Sequence, residues 1–252
     1  MQRSSTTPAI VLRKARVGEI HKALTLLTPA RGLLMVMAYG ALKMGSRLAT
    51  ASEPFHLLKA YLYHDPVHDQ YKLTDVESLA PHDELRRSVA KFYTASLWAE
   101  TCLRSYGGGQ ESDALFRLLA EALRLLDLAP AGGEVRLSAQ FLVRFLAVSG
   151  HRLDLEQCSR CGMDLELQAT VYVSREEGSL VCASCRGEGS YLGLPPGARR
   201  YLAATFPLPL AQAAAVGLEQ ASLAALRAAL YLLVQASLEA PLRTLDCAAG
   251  YL

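Results

Sequence analysis

What this chain lacks narrows its function early. No run approaches the roughly 20 apolar residues that a membrane span needs; the longest candidates, GLLMVMAYGAL and LAALRAALYLLVQA, are too short or are interrupted by Arg227. The start, MQRSSTTPAI, has no apolar stretch behind a basic end, so no secretory signal is read there. A cytoplasmic protein is expected, and structural disulfides are not. The one glycine cluster, GGGQESDALF, has no Lys-Ser/Thr behind it and is no phosphate loop. Neither G-x-S-x-G nor H-E-x-x-H occurs, and no paired carboxylates suggest acid/base work, so no catalytic residue is assigned. Acid is scarce at one end: residues 1–52 hold Glu19 alone.

Against that one acid stand eight cations: Arg3, Arg13, Lys14, Arg16, Lys22, Arg31, Lys43 and Arg47. The rest of the chain carries 18 basic and 23 acidic side chains, so the net charge of +2 conceals a positive end. Such an end on a near-neutral protein suits a polyanion. A solvated basic face without a partner is the plainer reading of charge alone.

The first 80 residues read as strands. AIVLRKARV, HKALTLLT, LLMVMAYG, FHLLKAYLY and QYKLTDVES are short apolar or alternating runs separated by turn residues. Five strands with few intervening helices suggest a small antiparallel barrel, and a basic five-stranded barrel would be an OB-fold. From His82 the periodicity becomes helical. DELRRSVAKFYTASLWAETCLRSY reads as one helix capped by Asp83 and broken at Gly107 to Gly109. SDALFRLLAEALRLLDL, EVRLSAQFLVRFLAVSG, GARRYLAATF and LEQASLAALRAALYLLVQASLEAPL follow, and are expected to pack as one bundle against the barrel. The expected class is α+β: an N-terminal five-stranded OB-fold barrel, then an α-helical domain with an inserted four-cysteine zinc-ribbon-like module. The expected boundaries are 1–80 for the barrel, 81–150 and 195–252 for the helical parts, and 151–194 for the module.

Four of the six cysteines form two C-x2-C pairs, Cys158/Cys161 and Cys182/Cys185, separated by twenty residues. Two residues apart, thiolates point at one ion, and LQATVYVSREEGSLVC with its Gly178 turn reads as a hairpin joining the pairs. One zinc ion is expected. Four thiolates complete a tetrahedron and leave no position for water, so the role is structural rather than catalytic. His151 reads as a surface residue, Cys102 as buried on a helix face, and Cys247 as a tail thiol. The cluster His64, Asp65, His68 and Asp69 in YHDPVHD reads as a turn rather than a metal site.

Arg13, Lys14 and Arg16 alternate with apolar residues on the first strand. Lys43, Ser46 and Arg47 sit in the Gly-flanked stretch YGALKMGSRLAT, where donors can follow a phosphate chain. With only Tyr39 before Phe55, backbone contact is expected to dominate base stacking. Arg86, Arg87 and Arg117 are weaker candidates on the helices.

AIVLRKARVGEIHKALTLLTPARGLL, then AYGALKMGS and PFHLLKAYLY, resembles the N-terminal OB-fold of the RecO family of recombination mediators, and the order of barrel, helices, cysteine pairs and final helices is also similar to that family. The most specific local features are Thr28, Pro29 and Gly32 in T-P-x-x-G, and the loop from Gly40 to Ser46. The resemblance implies binding of single- and double-stranded DNA, annealing of complementary strands, and assistance in loading RecA onto strands coated by single-strand binding protein (SSB). It further implies action with RecR, no nucleotide requirement and nucleoid association. Lys43, Ser46 and Arg47 match the family's basic loop, although Leu42 and Met44 stand where relatives often have cations. A zinc-ribbon adaptor or transcription-associated protein, which would use the cysteine module itself, is the alternative; a hydrolase would need a site that is not found.

Overall fold

A computed structural model describes residues 3–166, 168–248 and 250–252, and only the backbone of Thr50 and Gly108. Contacts divide the chain into two compact units, Met1–Leu128 with Cys247–Leu252, and Ala129–Asp246.

The first unit begins with strands β1 (Ser4–Val17), β2 (His21–Thr28) and β3 (Gly32–Ala38), a short helix α1 (Arg47–Ala51), and strands β4 (Leu57–Asp65) and β5 (Gln70–Ala80). They close into a barrel in the order β1-β2-β3-β5-β4. This is the arrangement of an OB-fold. The long β1 serves two neighbours: Ser4–Ile10 pairs with β4, and Ile10–Val17 pairs with β2. A bulge between Val11 and Arg13 separates the two registers and bends the strand. A parallel contact, Val36 with Tyr71 and Met37 with Lys72, completes the closure.

Alternation decides which side chains fill the barrel. Leu58, Ala60 and Leu62 of β4 are buried, whereas Lys59, Tyr61 and Tyr63 occupy the opposite face. Val11, Leu24, Leu26, Leu34, Val36 and Leu73 join the same apolar interior.

Helices α2 (Glu84–Arg87), α3 (Val89–Arg104) and α4 (Ser112–Leu128) follow in this unit. The single helix expected from His82 is therefore two. Ser88 is extended (φ −114°, ψ 123°), and its hydroxyl accepts a hydrogen bond from the Lys91 N–H, capping α3. A serine that caps a new helix competes with continuation of the old one. The expected Asp83 cap is absent; its carboxylate takes Arg86 instead.

The glycine break between α3 and α4 has a packing cause as well as a conformational one. Gly107 has φ +72°, and a Cβ there would lie 2.7 Å from the Leu33 backbone nitrogen. Ser112, opening α4, donates to the Pro29 carbonyl at 2.8 Å, and Thr28 donates to the Gly32 carbonyl at 3.1 Å. The T-P-x-x-G turn is thus one of the points where barrel and helices of this unit meet.

The second unit contains α5 (Gly133–Val148), strands β6 (Val171–Ser174), β7 (Ser179–Val181) and β8 (Tyr191–Leu194), and helices α6 (Pro196–Thr205), α7 (Leu210–Ala215) and α8 (Gln220–Ser237). The expected β6–β7 hairpin is present, with Gly178 at φ +60° in its turn, and β8 adds a third strand on the far side of β6. Helix α8 packs against α5, α6 and β8. Arg144 of α5 donates to the carbonyls of Thr205, Phe206 and Leu208, at 3.1, 3.3 and 2.8 Å, satisfying the end of α6.

The contacts distribute the helices between the two units. α2–α4 belong with the barrel and α5–α8 with the cysteines, the division falling at Ala129 in the APAGG turn. Pro and Gly there stop α4 and leave Gly132 left-handed, at φ +83°. Among the described residues no helix is long and apolar enough to cross a membrane.

Candidate nucleic-acid interface and thiolate centre

The two C-x2-C pairs converge. One sulfur from each of Cys158, Cys161, Cys182 and Cys185 lies within 4.8 Å of every other. Each pair is a tight knuckle. The Gly162 N–H reaches the Cys158 carbonyl at 2.9 Å, with Gly162 at φ +69°, and a 3-10 turn over Ala183–Cys185 shapes the second. Sulfurs of Cys161 and Cys182 are 3.8 Å apart. That matches the edge of a tetrahedron with metal–sulfur bonds of about 2.3 Å, roughly 3.8 Å. The centre is lopsided: Cys158 and Cys182 are buried, Cys161 is exposed and Cys185 half-buried.

Burial alone would push the Cys158 thiol up. Backbone N–H groups of Cys182, Cys161 and Arg160 aimed at the sulfur outweigh it and bring the thiol down to about 6. The Cys185 thiol, in contact with the sulfurs of Cys161 and Cys182, is pushed up to about 12. Crowded thiols divide in this way because neighbouring negative charges repel, and a cation among them removes the conflict. The four cysteines could hold a metal ion, and among the described residues no other His, Cys, Asp or Glu group does so.

The cations expected to meet DNA separate into engaged and available side chains. Lys14 pairs with Glu53. Arg16 folds over the β1–β2 turn, donating to the carbonyls of Gly18 and Glu19 at 3.0 and 3.2 Å. Ser46 caps α1 by accepting from the Leu48 N–H at 3.3 Å. Arg86 is tied to the carbonyls of Pro54 and Pro81 at 3.3 and 3.0 Å, and Arg87 pairs with Glu84. Arg117 pairs with Asp113 at 2.8 Å. Arg13, Lys43 and Arg47 are exposed and form no ion pair among the described residues. Lys43 and Arg47 flank Met44 and Gly45, also exposed, in one stretch between β3 and β4.

Two features were missed at the level of sequence. Lys22 is buried, donating to Ser52 Oγ at 2.7 Å and to the Ala49 carbonyl at 3.2 Å, so it belongs to the barrel interior rather than to a basic surface. The barrel also has more aromatics than the stretch before Phe55 suggests. Lys59 lies over Tyr61 at 5.4 Å, Lys72 over Tyr63 at 5.9 Å, and Arg31 over Tyr71 at 5.2 Å. The K-x-Y-x-Y alternation in β4 was the available signal, since period two puts all three on one face. The His64–Asp69 cluster spans the end of β4 and the turn to β5: His64 meets Asp69 at 2.8 Å, while Lys72, then His68, hold the Asp65 carboxyl far below its ordinary range.

Comparison with known proteins covers both units. Residues 1–82 match the family model of the Recombination protein O N terminal, and residues 86–246 that of the Recombination protein O C terminal. The DNA repair protein RecO of Desulfosudis oleivorans is 33% identical over 190 residues, 73% of this chain and 72% of that protein. That of Rubrobacter xylanophilus is 30% identical over 215 residues, 84% of this chain and 85% of its own. The RecO of a Thermoanaerobacter species is 28% identical over 182 residues, 72% and 71% of the two chains. With residues 1–82 and 86–246 matched by the two family models, and relatives of 30% identity or more covering over two thirds of its length, the chain belongs to the RecO family of DNA repair proteins.

Proposed function

We propose that this chain is a non-enzymatic recombination mediator. It binds single- and double-stranded DNA through its barrel, anneals complementary strands without nucleotide, and helps load RecA onto SSB-coated DNA together with RecR. The observation that carries this reading is the exposed group Arg13, Lys43 and Arg47, which no acid neutralises among the described residues. Annealing requires a surface that offsets the charge of two backbones while leaving bases able to pair. Cations that follow phosphates do so by releasing counterions, without reading sequence.

Cys158, Cys161, Cys182 and Cys185 hold one structural zinc. The donor set supports this: four soft thiolates at tetrahedral spacing favour zinc and leave no position for water. Bound zinc would cross-link the two knuckles and contribute to folding rather than to turnover.

Contact with SSB uses the second unit. A cavity of about 840 Å³ there is lined by Arg152, Arg199 and Arg200 beside the apolar Val143, Phe206 and Pro207. Asp154, Glu156, Asp164 and Glu166 also line it; Asp154 accepts from the N–H groups of Glu156 and Gln157, and Asp164 from that of Glu166. Arg199 is buried against the carbonyls of Leu155 and Glu166, so Arg152 and Arg200 are the cations left to meet a ligand. A short acidic peptide with an apolar tip suits such a groove. Annealing of bare and SSB-coated complementary strands by the purified chain, without nucleotide, tests the reading. Failure on both substrates, or a requirement for ATP, overturns it.

A further inference from the structure

We propose that Arg160 is the positioning residue that keeps the thiolate centre closed and sets how fast it releases its metal. Arg160 stands inside the first C-x2-C pair. Its Nη1 donates to the carbonyl of Cys185, in the second pair, at 2.6 Å. Its Nε and Nη2 both donate to Glu177 Oε1, at 2.9 and 2.7 Å, in the turn of the β6–β7 hairpin. The guanidinium also lies 5.9 Å from the ring centre of Tyr191, on β8. One side chain thus ties the first knuckle to the second knuckle and to both neighbouring elements of the sheet.

The asymmetry of the centre gives this clasp its importance. On the buried side the knuckles are joined by backbone groups: Cys182 N–H to Cys158 Sγ at 3.3 Å, and Ser159 N–H to the Leu180 carbonyl at 3.0 Å. On the open side stand Cys161 and Cys185. A metal leaves stepwise, and the sulfurs that swing away first are those that solvent and a competing chelator can reach. There the link between the pairs is Arg160 to the Cys185 carbonyl. Glu177 holds the guanidinium in place, and its other oxygen accepts from Ser179 Oγ at 3.2 Å, anchoring the carboxylate in turn. A lysine has the charge but not the planar fork, so it cannot hold Glu177 and the carbonyl together. Partners of this kind, one step removed from the metal, typically alter affinity by about 10- to 100-fold.

The inference rests on the reading that the four thiolates hold zinc. The experiment follows zinc transfer from the full-length, zinc-loaded protein to a chromogenic chelator in excess. Arg160→Gln should release zinc about 10- to 100-fold faster than the unaltered chain, Arg160→Lys should be close to Arg160→Gln, and Glu177→Gln intermediate. Arg186→Gln, which removes an exposed cation lying over Tyr172 at 4.7 Å, should leave the rate unchanged. Cobalt(II) in place of zinc gives a second readout, since loosened thiolates change the d–d band envelope in Arg160→Gln but not in Arg186→Gln. An unchanged release rate in Arg160→Gln, or full recovery in Arg160→Lys, overturns the clasp. If Arg160→Gln does not fold, Glu177→Gln decides it, and a release rate equal to that of the unaltered chain overturns it. Unaltered protein that binds no zinc defeats the zinc reading, and the clasp with it; zinc held with equal release rates defeats the clasp alone.

Discussion

Glu53 accepts Lys22 in an ion pair of 3.2 Å, joining the carboxylate just beyond the basic N-terminal stretch to a lysine buried in the barrel. The same carboxylate takes Lys14. Two of the eight cations in residues 1–52 are therefore answered by an acid one position past the window in which they were counted. The electrostatic case for DNA rests on the remaining exposed ones, above all Arg13, Lys43 and Arg47.

Binding to single strands should be nearly indifferent to sequence and strongly dependent on salt, each phosphate contact contributing about 0.7 to the slope of log K against log salt. Replacing Lys43 and Arg47 together by alanine should flatten that slope by about 1.4. Fluorescence anisotropy titrations across a salt series measure this. Weaker binding with an unchanged slope assigns the pair a structural role instead.

Glu53→Gln should destabilise the barrel at neutral pH and have no effect in acid. Partial burial pushes the Glu53 carboxyl up, but Lys14 and Lys22 outweigh it and hold the carboxyl below its ordinary 4.5. The contribution is therefore complete above 4.5 and is lost as pH falls through the lower folded value. Because the Glu53 side chain keeps 29% of its surface exposed and Lys14 41%, solvent screening limits the loss at pH 7 to on the order of 1 kcal/mol. Thermal unfolding of both proteins in steps from pH 7 to pH 2 checks it; a gap that does not shrink as pH falls assigns the effect to packing.

Metal analysis of the purified protein should give one zinc per chain, and Cys158→Ser should give less than half an equivalent. The variant should lose structure in the cysteine module before it loses DNA binding, because the barrel lies in a different compact unit. Full zinc retention in Cys158→Ser removes that residue from the ligand set.

Annealing of coated strands should depend on the SSB tail and on Arg200. Arg200 is exposed at the arginine-edged cavity, so Arg200→Glu should weaken binding of an acidic tail peptide by about tenfold, the effect of roughly 1.4 kcal/mol. Annealing of bare strands should be unaffected. If intact and tailless SSB complexes anneal equally well, direct contact with the tail is not part of the mechanism.

Much of this protein can be read without coordinates because local chemistry dictates it. Short apolar or alternating runs between turn residues located all five barrel strands, and α4 begins and ends where the Ser-Asp signal and the APAGG turn put it. Paired C-x2-C spacing named the four sulfurs that converge. These features depend on neighbours within a few residues, or on pairs whose spacing admits few geometries.

The tertiary structure decided what depends on partners distant along the chain. That Lys22 is interior and Lys14 neutralised follows from barrel closure, which brings residues 14, 22 and 53 together, and Arg86 meets the carbonyls of Pro54 and Pro81 because α2 packs beside them. The separation of the helices into two units, and the third strand beside the cysteine hairpin, likewise require knowing which apolar faces meet. Arg160 is the sharpest case. In sequence it is one cation between two cysteines, and it becomes a clasp only when folding carries Glu177 and Cys185 to its guanidinium, since hydrogen bonds are decided by distance in space and not along the chain.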